Sequence, residues 1–388
     1  MKKLFTLLLM GSVSAANLLQ AQALPNFGFD SWKGKGNCGI TYLTATTATS
    51  NQQNRPGDEP AGWSGSNINQ VMNITALCTQ GTDEGNYTKL KNYNAFGQIV
   101  PAYLTLGSPW VFAYGSGFDM MNYAKFGDGG SCGGIEFAYK PDALKFKYKH
   151  PSTTEETAQL DDVDRVVLGK QTDGINTKGE LIASLDYEIT ETTTTWQEVT
   201  IPLNYQSNSV PEKLNVIFSA GDYWTRANLK GNSELHIDDV QFVYNSELTR
   251  LTYDGTTINT TEGVYAYEVP AVYGSSKQLE CVSNGKGATI ETAYNEQTGV
   301  LTVTVKGNDI SVNAGNLHTY TFQFAKAMTT YTNSLLVDVD GSTIAPTEES
   351  IILIQEMDDS YSFLLPNFSF EIVPGSSILL GDIKMTNL

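Results

Sequence analysis

The chain has 388 residues, a length that suits two or three domains. It carries 24 Lys and Arg against 42 Asp and Glu, a formal net charge of −18. Such a surface repels phosphate backbones and anionic headgroups, which excludes nucleic acid and membrane surfaces as partners and favours neutral or cationic ligands and divalent cations.

In chain order, the first element is an export signal. Lys2 and Lys3 are followed by the apolar run Leu4 to Met10 and by small and apolar residues to Leu19. Ala21-Gln22-Ala23 then supplies a small-x-small cleavage pattern. The run is shorter than the roughly 20 residues that span a bilayer. Residues 1–23 therefore read as a cleaved signal peptide, with Leu24 the first mature residue and a periplasmic or secreted location. Cys38 is too distant to carry a lipid at that terminus, and no later segment is apolar enough for membrane insertion.

The cysteines are Cys38, Cys78, Cys132 and Cys281. Export permits disulfides. One bridge among the first three and buried unpaired thiols are both compatible with these spacings, which are too long for a compact zinc site.

Helical periodicity is nearly absent and alternation is frequent. In 143–149, Leu144, Phe146 and Tyr148 alternate with Lys145, Lys147 and Lys149, so one face is core and the other wet. Similar strands are expected over 134–139, 164–169, 181–189, 196–203, 213–219 and 234–244. Their spacing reads as a β-sandwich of the jelly-roll kind. After the polar stretch 245–247, six or seven short strands follow within about 80 residues, the size of an immunoglobulin-like sandwich. Asn284-Gly285 is read there as a two-residue hairpin turn. From Tyr331, strands at 334–339, 350–355, 361–365 and 369–373 follow, with Asp358-Asp359 turning one hairpin. Four or five strands leave open edges, so this unit reads as part of a barrel.

Several stretches resemble the PCMD family, a family of carbohydrate-metabolism domains. They are NFGFDSW at 26–32, RPGDEPAGWSGSNINQ at 55–70, LTLGSPWVFA at 104–113 and GGIEFAYKPDALKFKYKH at 133–150. DDVDRVVLGK at 161–170, WQEVTIPLNY at 196–205, VIFSAGDYW at 216–224 and LHIDDVQFVY at 235–244 complete the set. The resemblance implies a galactose-binding-like jelly roll over residues 24–246 and attaches no reaction to it. Residues 247–328, with LTRLTYDGTTI and HTYTFQF, resemble a cadherin-like or immunoglobulin-like sandwich. Residues 329–388, with FLLPNFSFEI, resemble the start of a calycin-like β-barrel, which in full would need about eight strands.

Catalytic signatures are weak. Gly129-Gly130-Ser131-Cys132-Gly133 matches a nucleophile elbow only formally, since no helical pattern follows it, and a glycine-rich turn is the better reading. His150, His236 and His318 stand singly, without H-E-x-x-H or H-x-H spacing. A glycosidase needs two carboxylates about 5–10 Å apart, and nothing singles out a pair.

Binding signatures are stronger. In carbohydrate-binding jelly rolls, a terminal strand motif such as Asp238-Asp239 faces an N-terminal segment such as Asn26–Asp30. Asp30, Asp238 and Asp239 are accordingly the candidate ligands of a structural Ca2+, which takes six to eight hard oxygens. Solvated acids at a sheet edge are the alternative. Sugars stack their apolar faces on aromatic rings while polar neighbours read the hydroxyls. Asp222, Tyr223, Trp224 and Arg226 form one candidate loop, and Trp110 with Tyr114 and Trp63 form further candidates. For Trp63 and Trp110 a core position is the alternative. The expected function is an exported, non-catalytic accessory protein that binds a neutral glycan. The alternatives are a structural or adhesive protein of the cell envelope with envelope proteins as partners, and a glycoside hydrolase.

Overall fold

A computed structural model of the protein describes residues 24–33, 41–44, 59–67, 77–95, 98–113, 129–132, 134–151, 158–160, 166–169, 180–221, 231–339, 342–373 and 376–385. The described residues form strands and turns with no helix, so the fold is all-β. Two compact units divide the chain, residues 1–245 with 311–314 and residues 246–310 with 315–388.

The first unit is a β-sandwich. One layer is a five-stranded sheet in the order Thr193–Pro202, Ala143–His150, Glu234–Val243, Tyr87–Lys91, Cys78–Gly81. All four pairings are antiparallel. The facing layer is made of two further five-stranded sheets. The chain passes between them at Asp186, which separates Leu181–Leu185 from Tyr187–Ile189, and at Val216, which separates Lys213–Asn215 from Ile217–Ser219. The sequence pattern reads each of these pairs as one strand. The break has a local cause at Val216, whose carbonyl turns aside to accept the Leu106 N–H at 3.1 Å. Switching sheets at such corners is a usual device of sandwiches.

Alternation explains which side chains meet between the layers. Leu144 and Phe146 are fully buried, and so are Leu235, Ile237 and Leu90 from the neighbouring strands. Phe146 meets Phe218 of the facing layer edge-on, with ring centroids 5.2 Å apart and planes at 71°. Such a contact contributes about 0.5–1.5 kcal/mol beyond the area it buries. The partner positions Lys145, Lys147 and Lys149 lie on the outer face.

The second unit holds a smaller sandwich. Thr256–Asn259, Leu248–Tyr253 and Leu279–Ser283 form one sheet. Ala266–Val272, Leu317–Ala325, Val300–Lys306 and Thr289–Asn295 form the other, in which the first two run parallel. Leu251, Tyr253, Val303, Val305, Phe322 and Phe324 are buried between them. Asn284-Gly285 does not turn a hairpin. The strands on either side of it belong to different sheets, and Asn284 instead bonds Glu247 through its backbone and its side chain. The two-residue hairpin is at Asp254-Gly255, both with positive φ (46° and 85°), joining Leu248–Tyr253 to Thr256–Asn259. That geometry is the one Asp-Gly favours.

The remaining strands, Ala327–Val339, Ser342–Gln355, Tyr361–Val373 and Ser376–Met385, form an antiparallel meander in sequence order. They are longer than the pattern suggests, and the boundary expected at 328/329 falls inside the first of them. Among the described residues the first and last strands do not pair, so no barrel closes. Asp359, with φ 66°, sits in the turn between the second and third strands, as expected for Asp358-Asp359. Among the described residues no helix is long and apolar enough to cross a membrane.

Candidate functional site

Two polar corners stand out on the five-stranded sheet of the first unit. The first lies where Thr193–Pro202 and Ala143–His150 approach the turn that joins Cys78–Gly81 to Tyr87–Lys91. Lys149 points to the outer face, yet the residue is only 6% exposed. Its ammonium lies 4.6 Å from the Trp196 ring centroid and 5.9 Å from that of Tyr87, and it pairs with Glu84 of the turn. Tyr87 meets Trp196 edge-on at 5.3 Å and packs against the His236 ring at 4.9 Å. Gly81 makes room for Tyr87, since a Cβ there would sit 2.0 Å from the phenol ring.

The polar groups of this corner are held in place. The Tyr87 hydroxyl donates to Asp83 Oδ1 at 2.7 Å. That bond, then a backbone hydrogen bond and the charge of Lys149, keeps the Asp83 carboxyl below its usual range. Burial, then the bond to Asp83 and neighbouring acids, pushes the Tyr87 phenol well up. Glu234 joins His236 Nε2 at 2.7 Å, Lys89 at 2.7 Å and Lys91 at 2.9 Å. Burial alone would raise the Glu234 carboxyl, but these three partners outweigh it and hold it far below the ordinary range. Three carboxylates, Asp83, Glu84 and Glu234, thus face three ammoniums, Lys149, Lys89 and Lys91. Among the described residues the corner's carboxylates and ammoniums balance, in a chain of charge −18. Trp196 is half-buried, while Asp83 and Glu84 are exposed.

The second corner holds the three expected calcium ligands. The N-terminal loop is closed by Asn26, whose side chain bonds both the N–H (3.0 Å) and the carbonyl (2.7 Å) of Ser31. Phe27 accepts the Val240 N–H at 2.9 Å, which ties this loop to the strand Glu234–Val243. That strand bulges against Ala143–His150, with Lys145 opposite Gln241 and Lys147 opposite Asp238. Asn26, Phe29 and Asp239 all take positive φ, at 48°, 50° and 50°. For a buried aromatic such as Phe29 this is strained backbone of the kind that clusters at functional sites. The Asp30 and Asp239 carboxylates both lie near Gly28, where a Cβ would sit 3.6 and 3.7 Å from their oxygens.

Asp238 is pushed up to about 6, first by burial and then by the charges of Asp239 and Asp30. Lys147 pairs with Asp239 at 2.7 Å, and this bond raises the lysine. Asn86 donates to Asp30 at 3.1 Å. The donors are hard oxygens with an uncompensated negative charge, which fits Ca2+ in kind. Among the described residues, however, no three His, Cys, Asp or Glu side chains already converge at coordination distance.

Of the expected sugar-binding residues, Asp222, Tyr223, Trp224, Arg226 and Tyr114 lie outside the described residues. Trp110 lies on the strand Ser108–Ala113, opposite Thr41 and Gly130. Trp63 is corrected to a core residue. It is 1% exposed, packs between Phe29 and Phe218, and donates its indole N–H to the Pro25 carbonyl at 2.8 Å. No face is left for a sugar. Gly129–Cys132 is a strand antiparallel to Ser108–Ala113, so the formal nucleophile elbow is neither an elbow nor a loose turn. Cys281 is unpaired, and burial pushes its thiol up to about 11, which leaves it unreactive. The Trp196 corner was not singled out from sequence. Its signal was an alternating strand whose outer face carried an aromatic, Trp196, beside the register partner of the lysine row.

No family model matches the chain, the PCMD family included, and no curated protein matches it. Among solved structures, a proposed glycoside hydrolase from Bacteroides thetaiotaomicron VPI-5482 aligns at 16% identity and TM-score 0.33, covering 45% of this chain. The chain thus spans 60% of that protein's length. A proposed glycoside hydrolase from Bacteroides vulgatus ATCC 8482 aligns at 14% identity and TM-score 0.37, over 56% of this chain and 96% of its own. The tripod of the baseplate of bacteriophage Tuc2009 aligns at 11% identity and TM-score 0.20, over 78% of this chain and 82% of its own. These likenesses are too distant to carry an argument about activity.

Proposed function

We propose that this protein is an exported, non-catalytic accessory protein of glycan use that binds a neutral glycan on its first unit. One observation carries the reading: on a sheet face that should be plain solvated surface, a half-buried indole lies beside fixed carboxylates and a nearly buried ammonium. Burying charge away from a core is costly unless the charge is paired, and such expense concentrates at functional sites. An aromatic ring offers a stacking face, and the charged neighbours offer strong donors and acceptors to hydroxyls. Because the corner's described charges balance, an uncharged ligand meets no net repulsion there.

In the same reading Asp30, Asp238 and Asp239 hold a structural Ca2+ that fastens the N-terminal loop to the strand Glu234–Val243. The ion would supply the positive charge these acids lack, and no chemistry on the glycan is assigned to it. The reading is tested by a glycan array probed with the mature chain. Binding of one or more uncharged glycans, without cleavage on prolonged incubation, is the expected outcome. An array with no bound glycan overturns it.

A further inference from the structure

We infer that the Trp196 corner is itself the glycan site, and that it accepts uncharged sugars while refusing uronic acids and sulfated sugars. This rests on the glycan-binding reading and adds to it the location and the ligand class.

The argument begins with what each exposed group still has to offer. Asp83 has one oxygen held by the Tyr87 hydroxyl at 2.7 Å. Glu84 has one oxygen on the Lys149 ammonium, and its side chain remains 52% exposed. Each carboxylate is therefore oriented by the protein while keeping acceptor capacity toward solvent. The ammonium between the rings has only 8% of its side chain exposed and is occupied by Glu84, so it is not presented to a ligand as a free cation. At its surface the corner is a half-exposed indole beside the acceptors Asp83 and Glu84, while the partly exposed ammoniums of Lys89 and Lys91 are held by Glu234. A sugar hydroxyl can donate to such an acceptor, and charge-assisted bonds of this kind are the stronger ones. A carboxylate or sulfate on the ligand has no proton to donate. It would also bring like charge against Asp83 and Glu84, and like-charge contacts disfavour the wrong partner.

Preorganisation supports the same assignment. Tyr87 is 4% exposed, and its ring is fixed by Trp196, His236 and the missing side chain of Gly81. His236 is 7% exposed, and its Nδ1 has no protein partner among the described residues. The indole therefore rests on a rigid base, and binding need not order it.

The test uses the mature full-length chain and isothermal titration with every uncharged glycan the array returns, together with hexagalacturonate and a sulfated galactan. Trp196→Ala should weaken the uncharged glycan tenfold or more, and Trp196→Tyr, which keeps a ring, should restore most of the loss. Asp83→Asn with Glu84→Gln should weaken the same glycan about tenfold while narrowing the discrimination against hexagalacturonate. Thermal melting must show each variant folded. If Trp196→Ala unfolds the protein, the double variant still decides. Glycan binding unchanged in the folded Trp196→Ala and double variants would move the site elsewhere and leave the general reading intact, whereas tighter binding of hexagalacturonate than of any uncharged glycan would overturn the ligand class. An array with no bound glycan at all overturns both.

Discussion

The two corners of the first unit's five-stranded sheet use the same residue types to opposite electrostatic ends. Around Trp196, Asp83, Glu84 and Glu234 are matched among the described residues by Lys149, Lys89 and Lys91, and Asp83 and Glu234 are held below their ordinary range. Around Gly28, Asp30, Asp238 and Asp239 have, among the described residues, the one lysine partner Lys147, and Asp238 is pushed up to about 6. What differs is the number of cations within reach, and that number decides the ligand each corner suits. The matched corner suits an uncharged molecule, and the unmatched one suits a cation.

Both corners depend on the shared inner face, so the largest effect should come from there. Phe146→Ala should cost about 3–5 kcal/mol, because the ring is fully buried against Phe218. Denaturant unfolding should show this loss, and both corners should fail together.

The comparison sharpens with metal. Calcium at a hundredfold excess over its dissociation constant should stabilise the protein by about 2.7 kcal/mol. Asp238→Asn should abolish the gain, while Glu84→Gln should leave it intact. A melting curve indifferent to calcium and to chelator would break the contrast.

In chelator, the corners should also respond to pH with opposite signs. The folded-state carboxyl of Asp238 lies above its ordinary 3.8, at about 6. Its contribution is therefore fully present below pH 3.8 and is lost as pH rises through 6. Glu234 lies below its ordinary 4.5, so its contribution is present above that value and is lost as pH falls. Asp238→Asn should raise stability at pH 7 relative to pH 4, and Glu234→Gln should lower it. Equal pH slopes in the two variants would contradict the assignment.

The smallest effect is expected from Lys147→Met. The lysine competes with a cation for Asp239, so calcium binding should tighten modestly, while glycan affinity and the fold stay unchanged.

Much of the architecture was legible in the alternation of apolar and polar residues. Leu144 and Phe146 against Lys145, Lys147 and Lys149 fixed which face of one strand is core, and the lysine row marks the face that carries both corners. Non-local pairing was less legible. Nothing in Asn284-Gly285 says that its flanking strands enter different sheets, and Asp254-Gly255, an equally good turn signal, was passed over. The acid corner could be anticipated because a terminal strand and an N-terminal loop were expected to meet. The Trp196 corner could not, since Glu84 with Tyr87, Lys149, Trp196 and His236 come from four separate stretches of sequence that only the sheet order brings together. Trp63 shows the converse. Its preceding Pro60-Ala61-Gly62 suggested an exposed loop, but the ring fills the core between Phe29 and Phe218.

The central claim is that the matched corner takes an uncharged glycan, and its most direct test is the affinity of Trp196→Ala. Isothermal titration of the mature chain with an uncharged glycan from the array should show a loss of about tenfold or more in the variant, the size expected when a binding anchor is truncated, with circular dichroism unchanged. A folded Trp196→Ala protein that binds the glycan as tightly as the parent would contradict the account.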